Sequence, residues 1–71
     1  MLLDGWKEAY LPMLKMLEPR LTRASIVVAD DLKIAPDTLA PYLGYMRDPA
    51  NGYASIELPL GDGIEISLRS R

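Results

Sequence analysis

The chain has neither cysteine nor histidine. Their absence excludes disulfides, thiolate metal sites and cysteine nucleophiles, along with zinc sites of the usual His/Cys kind and Ser-His-Asp catalysis. A cysteine-free chain suits a reducing compartment, and the expected location is cytoplasmic. Positive charge is not in excess either. Eight basic residues against ten acidic give a net charge of −2, so no electrostatic footprint for nucleic acid or for an anionic membrane surface is expected. No apolar run approaches the ~18 residues of a membrane span, and the opening Met1-Leu2-Leu3-Asp4-Gly5 lacks the basic segment of a signal peptide. The five glycines, Gly5, Gly44, Gly52, Gly61 and Gly63, nowhere form the Gly-x-Gly-x-x-Gly loop that cradles a dinucleotide. Repeats, linkers and low-complexity segments are missing as well.

What is present is a packed α/β chain. Apolar residues make up 49% of its 71 residues, which suits one domain spanning 1–71 with a core worth roughly 3–5 kcal/mol. Ser25-Ile26-Val27-Val28-Ala29-Asp30-Asp31 organises the rest. Its apolar run predicts a buried central strand covered on both faces, and two adjacent carboxylates sit at its C-terminal edge, where open α/β sheets keep their ligand crevices. Met1-Leu2-Leu3 reads as the end of another strand, stopped by Asp4-Gly5. Leu11, Leu14, Leu17 and Leu21 mark one face of a helix near 11–18, bounded by Pro12 in its first turn and by Pro19. Leu39, Leu43 and Met46 mark a second helix near 38–46, with Pro41 required to lie in its first turn. Asp48-Pro49-Ala50-Asn51-Gly52 ends it.

Two runs of period two follow, near 53–60 and 63–69. Matching their apolar sets pairs Leu60 with Ile64, Leu58 with Ile66 and Ile56 with Leu68 across a Gly61-Asp62-Gly63 loop. Pro59 cannot donate to a ladder, so the first of these strands belongs at the sheet edge and the last between it and the central strand.

Asp4-Gly5-Trp6-Lys7, Tyr10-Leu11-Pro12 and Val27-Val28-Ala29-Asp30-Asp31 together resemble the C-terminal half of class I S-adenosylmethionine-dependent O-methyltransferases, the catechol O-methyltransferase-like branch above all. The pattern there is Asp-x-Trp-Lys, Tyr-Leu-Pro and Ala-Asp-Asn, and the likeness extends over nearly the whole chain, terminal hairpin included. The resemblance implies the C-terminal half of a Rossmann-like methyltransferase sheet, with a parallel central strand, a C-terminal antiparallel hairpin and two helices. It also implies methyl transfer to a small-molecule hydroxyl in the intact enzyme. Asp4, Asp30 and Asp31 match positions that hold Mg2+ in metal-dependent members, and Lys7 matches the general base. Asp4, Gly5 and Trp6 match the cofactor side of the crevice, the indole lying near the adenosyl group. Hard carboxylate oxygens suit magnesium, which lowers the pKa of a bound hydroxyl, and a lysine beside that ion would have its own pKa depressed. Asp31 departs from the usual Asn of the family. A family glutamate that seats substrate falls at Ile56 or Glu57.

The family's glycine-rich loop and ribose-binding acidic residue have no counterpart in these residues, which implies a fragment. Alone it is expected to be inactive, with neither S-adenosylmethionine nor Mg2+ bound tightly. Its expected partner is a second copy or the missing N-terminal half, through an exposed edge of the central strand, an exchanged N-terminal segment or apolar surface left on both sheet faces. The alternative reading is a non-catalytic α/β association module that homodimerises or docks on a partner.

Overall fold

A computed structural model describes residues 1–71. The elements in chain order are β1 (Leu2–Leu3), α1 (Tyr10–Leu17), β2 (Ile26–Ala29), α2 (Pro36–Arg47), β3 (Tyr53–Leu58) and β4 (Ile64–Arg69). Short 3-10 turns at Lys7–Ala9, Glu18–Arg20 and Pro49–Asn51 join them. One mixed sheet has the order β1-β2-β4-β3, with β1 and β2 parallel and the other pairs antiparallel. The small α/β fold with a central last strand is thus the one the sequence predicts. No helix is long and apolar enough to cross a membrane.

The prolines punctuate the helices in two ways. Pro12 is the third residue of α1, just after the Lys7–Ala9 turn, and Pro19 lies in the 3-10 turn that follows Leu17. Pro41 departs from expectation, for α2 begins at Pro36 and carries Pro41 beyond its first turn. Its ring sits on the exposed side of the helix.

Both helices pack on the same face of the sheet. The core joins Leu3, Val27, Ala29 and Tyr53 from the strands to Tyr10 and Leu14 of α1 and to Leu39, Tyr42 and Met46 of α2, with Leu32 at one end. The Tyr10 and Tyr42 rings meet edge to face at 5.8 Å. Of the leucine stripe on α1 only Leu14 is fully buried, while Leu11 and Leu21 are half-buried and Leu17 is exposed. Tyr10 takes the remaining core volume.

The hairpin keeps its predicted parity but shifts its register by two residues. Leu58 pairs with Ile64, Ile56 with Ile66 and Ala54 with Leu68, so the connection is Pro59–Gly63 and Leu60 is exposed in it. A shift by two leaves each side chain on its own face. The turn is set by Gly63, whose left-handed φ of 93° accompanies an N–H···O bond of 2.9 Å to the Leu60 carbonyl.

The two faces of this sheet are unlike, which corrects the expectation of a central strand covered on both. Facing the helices on β4 are Glu65 and Ser67, both fully buried. Arg47 grips Glu65 through Nε at 2.9 Å and Nη2 at 2.8 Å, and Nη2 also reaches Glu57 at 3.0 Å. The Ser55 and Ser67 hydroxyls are 2.6 Å apart, and Ser55 Oγ donates to the Met46 carbonyl. Glu18 accepts hydrogen bonds from the Tyr45 and Tyr53 hydroxyls and from Arg69. Polar groups can be buried here because the oxygens of Glu65, Ser67 and Ser55 each have a donor or acceptor opposite them. The other face carries the apolar residues of the hairpin and of β2, and no element covers it.

The edges differ from expectation too. β2 lies between β1 and β4, and the Met1 amino group donates to the Ile26 carbonyl at 2.8 Å. Val28 and Asp30 donate their N–H groups to the Met1 and Leu3 carbonyls. Short as it is, the N-terminal segment satisfies the edge of β2, so that strand offers no free edge for pairing.

Candidate functional site

The C-terminal ends of the two parallel strands lie side by side. Leu3 pairs with Ala29 in register, so the next residues, Asp4 and Asp30, leave the sheet together. Asp31 then adopts a left-handed conformation, φ 61°, which turns its side chain back toward the same place instead of continuing the strand alternation. Asp and Asn tolerate that conformation better than most residues. One carboxylate oxygen from each of Asp4, Asp30 and Asp31 lies within 4.8 Å of the others, Asp4 exposed and the other two half-buried. All three sequence-predicted ligands are therefore brought together, although Asp4 and Asp30 are far apart in the chain.

Internal hydrogen bonds hold the cluster. The Asp31 N–H donates to Asp30 Oδ1 at 2.8 Å, and the Tyr10 hydroxyl donates to the Asp30 carbonyl at 3.2 Å. Lys7 donates from Nζ to Asp31 Oδ2 at 3.1 Å and to the Gly5 carbonyl at 2.8 Å, and it lies 5.5 Å from the Tyr10 ring centre. It thus neutralises part of a site that would otherwise hold three like charges. Partial loss of hydration pulls the Lys7 pKa down, but the hydrogen bond to Asp31 and the contact with Tyr10 outweigh it, and the net displacement is upward. Burial moves the Tyr10 hydroxyl upward as well, against the opposing influence of Lys7. With Asp31 as its partner, Lys7 is an ammonium group. Its use as a base requires that partner to be engaged elsewhere.

Beside the carboxylates is an open cleft of about 380 Å3 lined by Gly5, Trp6, Lys7, Glu8, Ile34 and Ala35. Trp6 is 82% exposed, so its indole is a wall of this cleft rather than part of the core. Gly5 supplies the bend with a φ of 105°. Lys7 alone belongs to both the cleft and the acidic cluster. Ile34 and Glu8 were not legible as site residues. The available signal for Ile34 was an aliphatic residue in the loop between β2 and α2, and it is 60% exposed. Neither candidate for the substrate-seating glutamate reaches the cluster: Glu57 is held by Arg47, and Ile56 stands on the uncovered sheet face.

As a donor set the cluster fits a hard divalent cation. Magnesium takes one or two carboxylates and completes its octahedron with water and substrate oxygens. Here three carboxylates converge at an open rim with room for such ligands, and Lys7 competes for only one of their oxygens. No family model matches the chain, and no curated protein matches it.

Proposed function

We propose that this chain is the acceptor-activating C-terminal half of an S-adenosylmethionine-dependent O-methyltransferase, acting on a small-molecule hydroxyl once its donor-binding half is present. The observation that carries this reading is the convergence of Asp4, Asp30 and Asp31 from two parallel strand ends, with Lys7 seated on Asp31 and an open cleft walled by Trp6 alongside. Carboxylates at a strand terminus are common turn formers. A turn alone does not require three of them to meet from different strands, nor a lysine to bridge from the next turn.

In this reading Asp4, Asp30 and Asp31 would hold Mg2+, whose charge acidifies an acceptor hydroxyl. Trp6 and Gly5 form the wall on which the methyl donor is oriented toward that hydroxyl. With Asp31 turned to the cation, the ion pair that favours the ammonium form of Lys7 would be lost, and Lys7, after releasing its proton to solvent, could accept one from the acceptor hydroxyl. S-adenosylmethionine, when bound, would supply the methyl group from its sulfonium to the acceptor oxygen, and Lys7 would carry away the hydroxyl proton. A cytoplasmic location suits the cysteine-free chain. The uncovered sheet face favours the second reading, a non-catalytic association module.

Manganese is a convenient spectroscopic substitute for magnesium. Titration of the chain with Mn2+, followed by electron paramagnetic resonance, should show one weak site that is lost in Asp30→Ala and in Asp4→Ala. Equal Mn2+ uptake by the wild-type chain and both variants would overturn the metal reading. Trp6, the sole tryptophan, should show no fluorescence change with S-adenosylmethionine until the donor-binding half is supplied.

A further inference from the structure

Lys7 is the one basic side chain paired with the three carboxylates, and it is held from several sides. Its Nζ donates to Asp31 Oδ2 at 3.1 Å and to the Gly5 carbonyl at 2.8 Å. It stands 5.5 Å from the centre of the Tyr10 ring, whose hydroxyl in turn holds the Asp30 carbonyl. The Lys7 side chain is 13% exposed and that of Asp31 26%, whereas a surface lysine keeps its charged head in water. A carboxylate oxygen, a carbonyl oxygen and an aromatic face are all partners that favour a cation. Asp4 and Asp30 have no basic group on them.

We propose that Lys7 is a latch on this site: its ammonium is the resident cation of the carboxylate cluster in the metal-free chain, and a divalent ion enters by displacing it from Asp31. The inference rests on the reading of the cluster as a cation site and adds how that site is regulated. Magnesium demands short bonds of ~2.1 Å in a near-ideal octahedron, and two cations on one carboxylate oxygen repel each other. A carboxylate that turns to the ion must therefore let go of Lys7. A monovalent ion brings no more charge than the ammonium it would replace. A divalent ion brings twice as much and finds two further carboxylates, Asp4 and Asp30, within reach. The latch thus weakens occupancy of the site and selects by charge.

Mn2+ titration by electron paramagnetic resonance tests the latch. Lys7→Gln should bind about tenfold more tightly than the wild-type chain, the gain of a released charge-assisted hydrogen bond. Lys7→Arg, which keeps a cation able to pair with Asp31, should gain little. Lys15→Gln removes the same charge from a lysine seated over the Tyr45 ring and should bind as the wild type does. Heteronuclear NMR of the lysine ammonium groups follows the latch in the unmutated chain, with Lys7 assigned by its absence in either Lys7 variant, so that one variant suffices if the other fails to fold. The Lys7 ammonium should exchange slowly with water in the metal-free chain and rapidly at saturating Mg2+, and K+ at ~0.1 M should leave it slow. An Asp30-dependent Mn2+ site that is no tighter in Lys7→Gln overturns the latch and leaves the metal reading intact. So does a Lys7 ammonium that stays protected at saturating Mg2+, or is unprotected without it. An equal gain in Lys15→Gln reduces the effect to net charge and overturns the latch as well. Mn2+ uptake that does not depend on Asp30 overturns both readings.

Discussion

Arg47 and Glu65 form an ion pair whose two ends have very different surroundings. The Glu65 side chain is 0% exposed and the Arg47 side chain 46%. The hydrogen bonds that Arg47 donates to Glu65, set against partial burial, push the guanidinium well above its ordinary range. Arg47→Met would leave the carboxylate inside the sheet–helix layer with both strong hydrogen bonds gone. Removing one partner of a buried pair costs ~3–5 kcal/mol, and because solvent reaches this pair from the arginine side, a value near the lower end, about 3 kcal/mol, is expected. Glu65→Leu is the milder change. The freed guanidinium can turn outward and keep Glu57, already 3.0 Å away, so about 1 kcal/mol or less should be lost. For 71 residues without disulfides the total stability is roughly 3–5 kcal/mol, and Arg47→Met should sit near its unfolding midpoint in dilute urea. Urea titration followed by far-ultraviolet circular dichroism, at one fixed protein concentration, is the assay; Trp6 is too exposed to report on the core. The double variant Arg47→Met/Glu65→Leu should recover most of the loss. Equal shifts for the two single variants, or a larger one for Glu65→Leu, would refute the asymmetry.

The Tyr42 hydroxyl is buried without a hydrogen-bond partner, so Tyr42→Phe should stabilise the chain by about 1 kcal/mol in the same titration; a loss would mean that a partner exists. Stability should also fall at high pH. Tyr10, Tyr42, Tyr45 and Tyr53 are all displaced above 10.0, chiefly by burial, and Lys7 above 10.5, where the hydrogen bond to Asp31 outweighs lost hydration. Groups that hold their protons more tightly when folded contribute fully below the unfolded pKa and lose that contribution as pH rises through the folded value. Unfolding free energy should therefore be insensitive to these groups up to pH ~9 and decline above pH ~10. Tyrosinate absorbance should appear together with loss of ellipticity. Tyrosine ionisation well before unfolding would contradict it.

Much of this architecture could be read from the residues, and the gaps have specific causes. The order of elements and the edge position of the strand before Pro59 follow from local patterns of period, proline and turn chemistry, whereas the grouping of Asp4 with Asp30 and Asp31 came from the resemblance alone. Alternation across Ile64–Arg69 tells that the two faces differ, but not which one is covered. The inward set turned out to be Glu65 and Ser67 because Arg47 and Ser55, remote in sequence, satisfy them. Parity likewise cannot separate registers two residues apart, and the choice fell to the left-handed Gly63. Lys7 could be placed at the site from the Asp-x-Trp-Lys pattern, whereas Ile34 could not, since a loop residue enters a cleft through tertiary geometry alone.

The hairpin tip has a reach beyond its own strands. The N–H groups of Leu32 and Lys33 donate to the Gly63 and Asp62 carbonyls at 3.1 and 2.8 Å, and a β-carbon added at Gly63 would stand 3.2 Å from the Leu32 side chain. The loop that begins with Asp31 is thereby clamped between the β1 end of the sheet and the turn that joins β3 to β4. The clamp on this loop exists only when the hairpin is in place, a contact between residues about thirty apart in sequence. A nick or truncation in the hairpin would then disable aspartates it never touches.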